Sequence, residues 1–105
     1  MRSSDDLRDT AWLGRAVALA VENVEQGGGP FGALVVRNRA LVASGVNRVV
    51  SDLDPTAHAE VVAIRAACRD LRDFALAGAT LYSSCEPCPL CLAAALWSRV
   101  DRVPY

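Results

Sequence analysis

His58 and Glu60 stand on either side of one alanine, and Cys88 and Cys91 enclose Pro89-Leu90, with Pro87 just ahead of them. An imidazole and two thiols are three ligands of the kind Zn2+ takes, and mixed nitrogen and thiolate donors suit zinc better than magnesium or calcium. Three protein ligands leave the fourth tetrahedral position for water, which is what separates a catalytic zinc from a structural one. Zinc lowers the pKa of such a water from about 15.7 to about 7, so a nucleophile exists at neutral pH. Glu60 is then the carboxylate beside the metal that takes the water's proton and passes it on, acting as base and acid in turn.

An H-x-E followed at a distance by P-C-x-x-C is the signature of zinc-dependent nucleobase deaminases, in which the activated water attacks the ring carbon bearing an amino group. Duller readings exist for the parts. A Cys-x-x-Cys alone is also a redox pair or half of a structural zinc site. Cys85 would complete a closed set of three thiolates and one imidazole with Cys88, Cys91 and His58, but that set leaves Glu60 and Pro87 without a purpose. Cys68 falls within an alanine-rich stretch and reads as a small buried apolar residue.

These groups must be delivered by regular elements. Leu13, Val17, Ala20, Val21 and Val24 recur at helical spacing, which predicts a first helix over about 6–25 with these residues on its core face. After Gly27-Gly28-Gly29, the segments 32–36 and 41–47 read as a hairpin turning at 37–40. A helix is expected from Thr56 or Ala57 to about Leu71, with His58 and Glu60 in its first turn. A strand over 79–83 leads to a helix opening at Cys88, where Pro89 is tolerated because a first-turn proline forfeits no intrahelical bond. Residues 100–105 read as a last strand. Both metal-binding segments thus open helices, whose N-termini favour thiolates and developing negative charge. The order of elements implies a mixed sheet flanked by helices.

With 105 residues, 52% of them hydrophobic, the whole of 1–105 is expected to form one domain with its own core. The formal charge is −1, and the 11 basic residues, all arginine, are scattered without a stripe, which argues against an extended nucleic-acid interface. No apolar run approaches the roughly 18 residues of a membrane span, and Met1 to Asp6 lead into an amphipathic stretch and not a secretory signal. The expected location is the cytoplasm, where four cysteines read as ligands and thiols and not as a disulfide framework.

Four segments together carry a resemblance: Gly-Gly-Pro-Phe-Gly-Ala at 28–33, Asn47 after the second strand, Asp-Pro-Thr-Ala-His-Ala-Glu at 54–60, and Ser-Cys-Glu-Pro-Cys-Pro-Leu-Cys at 84–91. Over nearly its whole length the chain resembles the cytidine-deaminase-like superfamily and, within it, the bacterial guanine deaminases. The resemblance implies a three-layer α/β/α sandwich around a mixed sheet, and hydrolysis of guanine to xanthine and ammonia, with attack at C2 and Glu60 moving protons through N3. It implies His58, Cys88 and Cys91 as the zinc ligands, Asn47 as a hydrogen-bond partner of the base, Phe31 as a pocket wall, and Ala59 as a place where backbone meets substrate. It also implies a homodimer acting on a small nucleobase, without nucleic acid or membrane as partner. Asn47 also reads as a turn cap and Phe31 as ordinary core.

Family members continue past the strand expected near Val100 with a further strand and helices, which this chain lacks; in guanine deaminases that segment is exchanged between subunits and helps close the neighbour's site. Two other readings follow. One is a deaminase of adenosine within transfer RNA, whose relatives share His-Ala-Glu and Glu-Pro-Cys; the slightly acidic balance and the Gly-Pro-Phe-Gly segment count against it. The other is a zinc-binding remnant without turnover.

Overall fold

The chain folds around a three-stranded sheet in which β1 is central. The computed structural model describes residues 4–105, so the reading of the first residues as no secretory signal lies partly outside it. In chain order the elements are α1 (Ser4–Glu25), β1 (Gly32–Arg37), β2 (Ala40–Val46), α2 (Ala59–Leu71), β3 (Ala79–Ser83) and α3 (Pro89–Ser98). The strands lie in the order β2-β1-β3, with β1 antiparallel to both neighbours. The hairpin turns on Asn38 and Arg39, both left-handed with φ of 54° and 63°, the geometry whose twist matches that of paired strands. One irregularity, between Val35 and Val36, shifts the β1–β2 register.

Side chains alternate across β1 and divide the core into two layers. Ala33 and Val35 join Ala59, Ala63, Ile64 and Ala67 of α2 on one face, and Leu34 and Val36 join Ala16 of α1 and Tyr82 on the other. The result is the expected helix, sheet, helix sandwich. No described helix is long and apolar enough to cross a membrane.

Two glycines set how closely the helices approach. A Cβ on Gly32 would come within 2.4 Å of the Ala16 carbonyl oxygen, and one on Gly45 within 2.4 Å of the Ala59 carbonyl oxygen and 2.5 Å of the Ala63 nitrogen. Backbone lies against backbone at both places, so an added methyl has nowhere to go. Gly45→Ala should cost about 1–3 kcal/mol by overpacking, a fall in Tm of roughly 4–20 °C for a domain of this size. Thermal unfolding reads this directly, and an unchanged Tm would show that α2 does not rest on Gly45.

The close approach of α1 explains a departure from the periodicity. Its buried stripe is Ala16 and Ala20, flanked by Trp12, Leu13 and Leu19, whereas Val17, Val21 and Val24 are about half exposed. Small residues are what permit contact with Gly32, so the alanines and not the valines face the sheet.

The segment expected as a final strand makes only an isolated parallel bridge, Thr80 with Arg102. Asp101 N–H donates to the Ala79 carbonyl at 2.8 Å, Leu81 N–H to the Arg102 carbonyl at 2.9 Å and Ser83 N–H to the Pro104 carbonyl at 3.0 Å. Pro104 accepts but has no N–H to return, which limits the ladder. The three strands themselves are all antiparallel, so the mixed sheet expected from the order of elements is an antiparallel one, with this single parallel bridge beside β3. Arg102 also pairs with Asp9 of α1, to which the Tyr82 hydroxyl donates at 2.6 Å. The Arg102 guanidinium holds the Asp9 carboxyl below its ordinary range, while burial, then Asp9, push the Tyr82 phenol up to about 12.

Candidate metal centre

Helix α2 begins two or three residues later than expected and α3 one residue later, and the reason bears on the site. The Asp54 carboxylate accepts the Thr56 N–H at 2.9 Å and the Thr56 hydroxyl at 2.7 Å, holding 54–57 in a turn. His58 is therefore the residue capping α2, extended at φ −68° and ψ 154°, and Cys88 is its counterpart on α3 at φ −74° and ψ 170°. Their carbonyls take the first intrahelical bonds, from Val62 and Leu92, each at 2.9 Å. Neither side chain makes a capping hydrogen bond. A capping residue normally turns its side chain back onto the helix; here both turn toward each other.

His58 Nδ1 lies 3.4 Å from Cys88 Sγ and 3.4 Å from Cys91 Sγ, and the two sulfurs are 3.5 Å apart. Bonds of about 2.3 Å to sulfur and 2.0–2.1 Å to nitrogen at tetrahedral angles separate such atoms by roughly 3.5–3.8 Å. The three spacings lie at or just under that range, so the triangle can close on zinc with a shift of a few tenths of an ångström. Among the described residues these three form the cluster able to hold a metal ion; half-buried Cys85 stands outside it, so the closed four-ligand set does not form. Cys68 is half-buried on α2 against the core, and burial raises its thiol pKa.

The electrostatics differ at the two sulfurs. The Cys91 N–H, with help from the Cys91 thiol and the Leu90 N–H, pulls the Cys88 thiol below its ordinary range against a smaller desolvation. That is the helix N-terminus stabilising a thiolate. Burial holds the Cys91 thiol high, and the Glu60 carboxylate, within hydrogen-bonding reach, pushes the same way. A divalent cation reverses that second effect by deprotonating a thiol it coordinates. Glu60, in the first turn of α2 and only 4% exposed, is thus buried beside the ligand triangle without belonging to it.

Asn47 follows β2 directly. Its Oδ1 accepts the Val49 N–H at 3.1 Å, and its own N–H donates to the Phe31 carbonyl at 3.3 Å. Arg48 N–H donates to the Ala57 carbonyl at 2.9 Å, which fastens this end of β2 to the residue before His58. Phe31 is half-buried against the α2-side core. Ala59 is fully buried, its carbonyl above Gly45. Ser84 ties the segment before Cys88 to β1: its hydroxyl accepts the Gly32 N–H at 3.0 Å, and its N–H donates to the Gly32 carbonyl at 3.0 Å. Asn23, whose side chain bonds the Gly29 and Asn47 carbonyls, does not stand out in the sequence. The available signal for Asn23 is an asparagine inside a helix, where it is disfavoured unless its amide has other work.

A two-helix nest of one imidazole, two thiols and a carboxylate on an α/β/α sandwich is the arrangement of a zinc-binding domain. The chain belongs to the family described as "Cytidine and deoxycytidylate deaminase zinc-binding region", whose sequence model matches residues 7–105. It is 54% identical over 95 residues to the guanine deaminase of Bacillus subtilis (strain 168), covering 90% of this chain and 61% of that protein. It is 37% identical over 98 residues to a tRNA-specific adenosine deaminase of Buchnera aphidicola subsp. Schizaphis graminum (strain Sg), covering 93% of this chain and 65% of the relative. The solved guanine deaminase of Bacillus subtilis superposes with a TM-score of 0.90 at 52% identity, over 91% of this chain and 62% of that one. The chain therefore spans under two thirds of the length of these two curated relatives.

Proposed function

We propose that the chain carries the catalytic site of a hydrolytic guanine deaminase, converting guanine and water to xanthine and ammonia. The observation that carries the reading is the buried Glu60 carboxylate against a His58, Cys88 and Cys91 triangle of zinc dimensions. When bound, zinc supplies the Lewis acidity that brings the pKa of water near neutrality. Glu60 accepts a proton from the attacking water and delivers it to the ring nitrogen next to the amine-bearing carbon; it then takes the second proton from the new hydroxyl on that carbon and gives it to the amine, so that ammonia leaves as the carbonyl forms. Its burial keeps solvent from competing for that proton. Asn47 offers its amide NH2 to the base while its Oδ1 is held by Val49, Phe31 walls the pocket, and the chain at Ala59 lies alongside.

Similarity to a guanine deaminase at 54% against 37% for the transfer RNA enzyme supports the free base as substrate. So does the charge of −1 with dispersed arginines, since phosphate-rich partners are met by basic surfaces. Helix α3 contains no charged residue, and Leu92, Leu96 and Trp97 on it are 51%, 72% and 76% exposed. That apolar face supports a homodimer with a second copy covering it. Four unpaired cysteines are consistent with the reducing cytoplasm.

The substrate assignment is tested by ammonia release from guanine and from an adenosine-containing anticodon stem-loop on one zinc-loaded preparation. Turnover of guanine, at a kcat/KM at least a hundredfold above that for the RNA, is expected. The reverse ratio would make it a transfer RNA enzyme, and ammonia from neither would make it a zinc-binding remnant.

A further inference from the structure

Asn23, near the end of α1, holds together the two segments that the proposed site uses to meet its substrate. Its Nδ2 donates to the Gly29 carbonyl at 2.8 Å and to the Asn47 carbonyl at 3.0 Å. Its own carbonyl accepts the Gly28 N–H at 2.8 Å. One side-chain amide thus spends both hydrogens joining the glycine loop to the end of β2. The next links are backbone bonds: Phe31 N–H donates to the Gly29 carbonyl at 2.9 Å, and Asn47 N–H donates to the Phe31 carbonyl.

The glycines fit this clamp closely. A Cβ at Gly28 would lie 2.4 Å from Asn23 Nδ2, and one at Gly29 would lie 3.1 Å from Asn47 Cγ. The loop therefore passes between the two asparagine side chains with no room for a methyl at 28. Asn47 is held at two points, its main-chain carbonyl by the Asn23 amide and its side-chain Oδ1 by the Val49 N–H. That leaves one orientation in which its NH2 can meet a ligand.

We propose that Asn23 is a positioning residue: by donating to Gly29 and Asn47 together it sets the orientation of Asn47 and the place of Phe31, and it does so without touching the substrate. This rests on the reading of Asn47 as a base contact, and two readouts keep the failures apart. The first needs no substrate. Hydrogen exchange at the Val49 amide, protected by Asn47 Oδ1, should accelerate at least tenfold in Asn23→Ala and Asn23→Asp, while the Val35 amide in β1 stays within twofold of wild type. Gly28→Ala, which displaces the Asn23 amide but leaves it in the chain, should do the same. It also decides the matter if the Asn23 variants do not fold.

The second readout is a double-mutant cycle on guanine turnover at measured zinc content. Asn23→Ala should lower kcat/KM at least tenfold, mostly through KM, and in an Asn47→Ala background it should cost less than twofold more. Equal losses in both backgrounds, or unchanged Val49 exchange, would overturn the proposal. A wild-type chain without guanine turnover would refute the substrate reading, and the exchange result would still decide whether Asn23 positions Asn47.

Discussion

Glu60→Gln is expected to remove turnover, by roughly 100- to 10,000-fold in kcat, the range that one positioned general acid–base group contributes. Glutamine matches glutamate in volume and still hydrogen-bonds, so the pocket, in which Glu60 is 4% exposed, should keep its shape. What is lost is the ability to take protons from the attacking water and pass one to the base and the other to the amine. The ligand triangle does not include Glu60. Zinc content and Tm should therefore stay near wild type, and the loss should fall on kcat with KM changed by less than a few-fold. Steady-state kinetics beside metal analysis checks this, and a variant retaining a tenth of wild-type kcat would remove Glu60 from proton transfer.

Removing zinc is expected to act on both stability and activity. The metal would bridge the capping residue of α2 to the capping residue and third helical position of α3, so binding it fastens two helix starts that otherwise meet through side-chain contacts alone. A ligand present at a thousand times its Kd adds about 4 kcal/mol to the folded state, which for a domain of this size is a rise in Tm of roughly 15 °C or more. A chelator should reverse the rise and abolish turnover, zinc should restore both, and calcium or magnesium should restore neither, because thiolates select against them. His58→Ala should bind zinc poorly and show little difference with or without chelator. A Tm indifferent to metal would mean that the triangle does not close on an ion.

The candidate site is legible because metal ligation and proton transfer need particular residue types at short spacings, and His58, Cys88 and Cys91 for the one and Glu60 for the other stand in the chain itself. The hairpin is legible from two apolar runs and the turn between them, expected over 32–36 and 41–47 and found at Gly32–Arg37 and Ala40–Val46. The missed features depend on contacts between distant segments. Periodicity marks the valines of α1 as its core face, but the need to lie against Gly32 selects Ala16 and Ala20. Residue composition extends α2 back to Thr56, but the Asp54 turn ends the extension and makes His58 a cap. Asn23 gains its role only when the glycine loop and the end of β2 fold onto it, 6 and 24 residues away in sequence.

The most direct test of the central claim is ammonia release from guanine by samples of the chain loaded with zinc to graded, measured occupancy, with Glu60→Gln at full occupancy alongside. The account predicts a rate rising in proportion to zinc up to one ion per chain and a rate near zero for the variant. Full occupancy with no ammonia, or ammonia from the variant at the wild-type rate, would contradict it.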